Sequence, residues 1–123
     1  VNAIAKGWGV DQLFDYMAAN GFSRFMVEIG GEVRTMGKNN KGKPWRIGID
    51  TPVAGSLPGE QLFATTTLSN KAMATSGNYR IFYEFDGVQY SHIIDPRTGA
   101  ALQSDIASVT VTGPLLTLIV SGT

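Results

Sequence analysis

The run Arg80-Ile81-Phe82-Tyr83-Glu84-Phe85-Asp86-Gly87-Val88-Gln89-Tyr90-Ser91-His92-Ile93-Ile94 decides how the rest of the chain is read. Apolar and aromatic residues lead into Asp86-Gly87, and Val88, Tyr90 and Ile93 lead out. Asp-Gly between two such runs predicts a β-hairpin, because a type I′ turn needs positive φ at both central positions. Working outward, Phe25–Ile29 reads as a short buried strand ending at Gly30-Gly31, and Glu32–Met36 continues extended. Trp45–Asp50 alternates Trp45, Ile47 and Ile49 against Arg46, Gly48 and Asp50, as a half-buried strand does. Leu62–Leu68 is rich in Thr and extended, whereas residues 51–59 hold two prolines and two glycines and form a loop. A last strand is expected over residues 107–112.

The first segment has a different period. Over residues 4–20, Val10, Leu13, Phe14 and Met17 fall on one helical face, and Gly21 after Asn20 supplies a C-terminal cap. Gly7 and Gly9 weaken its first turns and point to close backbone packing or a ligand there. One N-terminal helix followed by about six mostly antiparallel strands predicts an α+β domain.

Composition narrows the function. The 123 residues make room for one domain, and 43% hydrophobic against 16% charged residues is a globular balance. Ten Lys and Arg offset ten Asp and Glu, so the electrostatic footprint of a nucleic-acid binder is missing, as is a general attraction to anionic membranes. With no cysteine, disulfide scaffolds, zinc knuckles and thiol catalysis are excluded. The uncharged stretch 106–123 is broken by Gly113-Pro114 and carries several Ser and Thr, so it does not read as a membrane span.

Some motifs fail on inspection. Gly37-Lys38-Asn39-Asn40-Lys41-Gly42-Lys43 begins like a phosphate loop, but Pro44 stands where a Ser or Thr hydroxyl should hold magnesium. A strand also follows where a helix N-terminus is needed, so a solvated loop is the better reading. Gly7-Trp8-Gly9 lacks the third glycine and the preceding strand of a dinucleotide fingerprint. His92 is the only histidine, which excludes His-cluster metal sites, and no Gly-x-Ser-x-Gly elbow supports a serine triad.

Other residues keep two readings each. His92 is either part of a strand ending in a turn that Asp95 caps, or a general base whose pKa suits neutral pH. Residues 74–79 read as a polar turn before the hairpin. That turn is either bland or an anion-binding nest, with Ser76 and Gly77 in it and Tyr79 free to stack on a ring. Gly30-Gly31 before Glu32 lets a flat ligand or another backbone approach closely. Lys6 pairs with a phosphate or is a snorkelling surface lysine.

In order, Ala3-Ile4-Ala5-Lys6-Gly7-Trp8-Gly9-Val10-Asp11, Gly30-Gly31-Glu32-Val33, Trp45 with Ile49, Thr75-Ser76-Gly77-Asn78-Tyr79 and His92-Ile93-Ile94-Asp95-Pro96-Arg97-Thr98-Gly99 closely resemble the ApbE family of flavin transferases. The resemblance runs over nearly the whole chain. It implies a magnesium-dependent enzyme that cleaves the diphosphate of FAD and passes FMN to a Thr or Ser hydroxyl of a target protein, releasing AMP. It implies His92 as the base, contacts to FAD from Lys6, Ser76, Gly77, Tyr79 and Ile106, and Ala3 near magnesium through its carbonyl oxygen. A bacterial periplasmic location on a lipid anchor, and a flavin-accepting protein as partner, are implied by the family alone.

By the same resemblance, residues 1–123 are the C-terminal portion of a flavin transferase domain whose N-terminal region is absent. The family's Ala-Asp-x-x-x-Thr metal segment has no counterpart in Thr112-Gly113-Pro114-Leu115-Leu116-Thr117-Leu118-Ile119-Val120, and no acid follows Asp105. An incomplete metal site is therefore expected within these residues. Two other readings stay open: a module that binds FAD without transferring it, and an inactive structural fragment.

Overall fold

A computed structural model describes residues 4–77, 82–91, 93–101 and 105–115. Helix α1 spans Ala5–Ala19. It stops in a Schellman arrangement, with the Phe22 N–H on Met17 O and the Gly21 N–H on Ala18 O. Eight strands follow among the described residues: β1 Phe25–Ile29, β2 Glu32–Met36, β3 Trp45–Asp50, β4 Leu62–Leu68, β5 Ala72–Gly77, β6 Phe82–Phe85, β7 Val88–Ser91 and β8 Ser108–Gly113. The α+β class expected from the sequence is the one found.

Four strands form an antiparallel sheet in the order β1-β2-β5-β8. Its first hairpin closes at Gly30 and Gly31, whose φ values of 56° and 97° are those a type I′ turn demands. Pairing of Val27 with Arg34, Arg34 with Ala72 and Ala74 with Val111 puts these side chains on one face. That face packs under α1, where Val10 meets Ala72 and Ala74 with Val27, Ile29 and Val111 around them. Small alanines on β5 let the helix sit close. On the opposite face Val33 and Met73 pack with Leu68 of β4 and Ile47 of β3, so the β3–β4 hairpin closes a second core. The β6–β7 hairpin turns at Asp86 and Gly87, both at positive φ, as the sequence predicts.

Two close ion pairs fix α1 on the sheet, and exposed Asp15 of α1 lies 3.7 Å from Arg34 as well. Asp11 of α1 lies 2.8 Å from Arg34 of β2, and Lys6 of α1 lies 2.8 Å from Glu32 of β2. The Arg34 guanidinium also stacks 3.8 Å over the Phe14 ring, which in turn lies 4.9 Å from Phe25. These contacts explain why the buried arc of α1 is not the expected one. It consists of Gly7, Val10, Asp11 and Phe14, whereas Leu13 is 49% exposed and Met17 is only partly covered. A glycine that lets the helix approach and an acid that pairs across the interface are invisible to an apolar periodicity.

A second expectation is corrected. Residues 74–77 are not a turn but the end of β5, paired Thr75 with Thr110, Ser76 with Val109 and Gly77 with Ser108. Small and polar residues suit this strand because it lies between two others, under the helix on one side. Thr75 and Thr110 join their hydroxyls at 2.9 Å on the other side. The final strand begins at Ser108, within a residue of its expected start. No helix among the described residues is long and apolar enough to cross a membrane.

Arg34→Ala should destabilise the fold by about 2 kcal/mol, because it removes the 2.8 Å charge-assisted bond to Asp11 and strips the Phe14 ring contact. Urea unfolding of the variant checks this. A loss below about 0.5 kcal/mol, the ordinary effect of a surface substitution, would show that the pair does not hold the helix.

Candidate functional site

The antiparallel register collects several chain segments at one end of the four-stranded sheet. β1 finishes there at Ile29, opposite the start of β2 at Glu32. Because Val33 pairs with Met73, β5 runs toward that same end and finishes there at Gly77, opposite the start of β8 at Ser108. The first turn of α1 reaches it as well. Lys6 donates to Gly30 O at 3.0 Å across the β1–β2 turn.

Several residues singled out from the sequence therefore share one sheet end: Lys6, the Gly30-Gly31 turn, Ser76, Gly77 and, two residues before β8, Ile106. Ser76 lies on the α1 face of the sheet and is exposed, Gly77 is half-buried, and Ile106 is 62% exposed. The chain leaves the sheet at Gly77 and re-enters it at Ser108. That excursion carries the β6–β7 hairpin, Tyr79, His92 and the Asp95 turn. His92, Tyr79 and Ala3 lie outside the described residues.

Lys6 is exposed and tethered at once. Its side chain is 50% exposed, while that of its partner Glu32 is only 7% exposed. The Glu32 Oε2 atom is buried and accepts no aligned hydrogen bond, so the 2.8 Å approach of Nζ is a charge contact rather than a directed bond. Removing the ammonium would leave a carboxylate in the interior, which costs several kcal/mol when no other partner is at hand. Sequence reasoning passed over Glu32 as part of a Gly-Gly-Glu run. The available signal was a charged residue opening a strand whose next residue, Val33, is core.

The Asp95 turn is built as expected. The Asp95 carboxylate accepts from the Arg97 N–H at 2.9 Å and from the Arg97 guanidinium at 2.9 and 3.1 Å. Its carbonyl accepts from Gly99 N at 2.8 Å. The carboxylate is covered by its own turn and is not sunk in the core. The Arg97 side chain, and then the Arg97 backbone N–H, hold its pKa below the ordinary carboxylate value.

The residues do not complete a hard-cation site. Among the described residues no three His, Asp or Glu side chains come together. Magnesium needs a near-octahedral oxygen shell with at least one or two carboxylates, and the described residues do not provide it.

Among the described residues, an α+β arrangement with one helix on one face of an antiparallel sheet, the β3–β4 hairpin on the other, and turns gathered at one sheet end defines the class. The chain belongs to the ApbE family, whose model matches residues 1–118. It is 47% identical over 111 residues to a protein of Vibrio cholerae named FAD:protein FMN transferase, covering 90% of this chain and 32% of that protein. An Escherichia coli protein of the same name is 35% identical over 114 residues, covering 93% of this chain and 32% of its own. Among solved structures, the flavin transferase ApbE from Vibrio cholerae superposes with a TM-score of 0.76 at 45% identity, over 94% of this chain and 35% of the other. An ApbE protein of Thermotoga maritima gives 0.81 at 34% identity, over 97% and 37%. The chain thus spans about a third of the length of the relatives it matches.

A carboxyl held low by a partner stabilises the turn above the ordinary Asp range and loses that contribution as pH falls through the lowered value. Carboxyl carbon chemical shifts should therefore show Asp95 titrating below the usual 3.8, and Arg97→Ala should move its midpoint upward toward that value. An unmoved midpoint would show that the fork of Arg97 does not hold the carboxylate in solution.

Proposed function

We propose that the protein moves FMN from FAD to a Thr or Ser hydroxyl of an acceptor protein and releases AMP. Supporting this reading is the gathering of Lys6, Ser76, Gly77 and Ile106 at one sheet end, in a chain whose relatives are named for that reaction. FAD presents two features to such an end: an anionic diphosphate and a flat ring system. A half-exposed lysine suits the first, and the aromatic Tyr79 suits the second.

In the proposed reaction the acceptor oxygen attacks the phosphorus on the FMN side of the diphosphate. The bond from that phosphorus to the bridging oxygen breaks, and AMP leaves with that oxygen. His92 takes the hydroxyl proton, the role for which a group titrating near neutrality is suited. Lys6 holds the diphosphate in position. Magnesium bound to the diphosphate would supply charge neutralisation. By the family resemblance, Ala3 would be among its ligands through the carbonyl oxygen.

We also propose, from the family resemblance alone, a location in the bacterial periplasm on a lipid anchor. A domain that keeps FAD without transferring it is the competing reading, and AMP release separates the two.

His92→Ala should slow AMP release and flavin attachment to an acceptor by about 10²–10⁴-fold, the ordinary contribution of a general base, while FAD still binds. Chromatography of AMP and in-gel flavin fluorescence read both products. Transfer at the unaltered rate would remove His92 from the chemistry. Absence of AMP from the unsubstituted protein under metal, FAD and acceptor would favour the binding module.

A further inference from the structure

The proposed function assigns Lys6 to the FAD diphosphate but leaves open what keeps a long, flexible ammonium at the right place. Two residues of the β1–β2 turn do so in the structure. Glu32, with its side chain 7% exposed, sets its Oε2 atom 2.8 Å from Lys6 Nζ, and Gly30 offers its carbonyl at 3.0 Å. The stem of the lysine runs directly over Gly30. A Cβ built on that residue would lie 3.1 Å from Lys6 Cδ and 3.5 Å from Nζ. The φ of 56° at Gly30 disfavours any larger residue as well. The turn is braced from its other side by Glu28, whose Oε1 accepts from the Gly31 N–H at 2.7 Å.

We propose that Glu32 and Gly30 are positioning residues for the transfer: a buried carboxylate and a bare turn backbone cradle Lys6 and aim its ammonium at the diphosphate. This rests on the assignment of Lys6 to FAD made above. An ammonium has three donors, and the cradle engages it from the protein side while half of the side chain stays open to solvent. Lys6 cannot leave Glu32 to meet a phosphate, because the buried carboxylate would lose its only close cation among the described residues. It must therefore meet the phosphate while still held, so the ligand finds a cation whose rotamer freedom is already spent. Glu32 acts through Lys6 and touches no reacting atom.

Titration of FAD and of riboflavin, which lacks the diphosphate, tests the proposal on the protein and on Glu32→Gln, Lys6→Ala and the double variant. Glu32→Gln keeps the shape and removes the charge. It should weaken FAD about tenfold and leave riboflavin within about twofold, and it should add nothing in the Lys6→Ala background. If Lys6→Ala weakens FAD selectively but Glu32→Gln leaves FAD unchanged or tightens it, the cradle is overturned and the Lys6 assignment stands. If Lys6→Ala itself spares FAD, both are overturned. Should Glu32→Gln fail to fold by circular dichroism, Gly30→Ala replaces it, with the same selective loss expected. An equal loss of both flavins would then refute the cradle.

Discussion

Two oppositely directed ion pairs between α1 and β2 set the geometry on which the remaining structure depends. The helix contributes Lys6 and Asp11, and the strand answers with Glu32 and Arg34. Five residues of helix rise about 7.5 Å, and two residues of strand about 6.8 Å, so the spacings match when helix and strand run the same way. Turning the helix end for end, or exchanging the partners, would set Lys6 on Arg34 and Asp11 on Glu32. Like charges at such range, one pair of them buried, are costly. Apolar packing of Val10 on Ala72 and Ala74 supplies attraction without direction. The charge pattern adds the direction, and so decides which end of the sheet receives the first turn of the helix.

That end is also where the antiparallel register delivers the β1–β2 turn, the exit of β5 and the entry of β8. The insertion between β5 and β8, from Gly77 to Ser108, holds the β6–β7 hairpin and the Asp95 turn in addition to His92. Function placed on loops at the edge of a braced scaffold is the general arrangement for sites that must be both positioned and adaptable. Here one charge of the brace, Lys6, is also the cation proposed for the FAD diphosphate.

Much of this was legible in the residues. Asp86-Gly87 marks a hairpin turn by the φ values it permits, and alternation in Trp45–Asp50 reports a strand whose Ile47 packs on the core. β5 reads at its end as a polar turn because Ala72–Gly77 is poor in large apolar residues. It is an interior strand whose small side chains make room for α1, a demand set by tertiary packing that leaves no local trace. The same holds for the helix, where Leu13 looked buried and Asp11 did not. Candidate site residues are legible only as a set: Lys6, Ser76 and Ile106 are ordinary singly, and the fold gathers them at one end of the sheet. The partnership of Lys6 with Glu32 spans 26 positions of sequence and follows only from the fold.

The claim that this sheet end receives the flavin nucleotide is tested most directly by amide hydrogen exchange of the protein with and without FAD. Exchange should slow on binding at residues 30–32, at Ser76 and Gly77, and around Ser108. The opposite end of the sheet, at Met36, Ala72 and Gly113, should exchange as before. Protection confined to that opposite end, or an unchanged pattern at residues 30–32 under saturating FAD, would contradict the account.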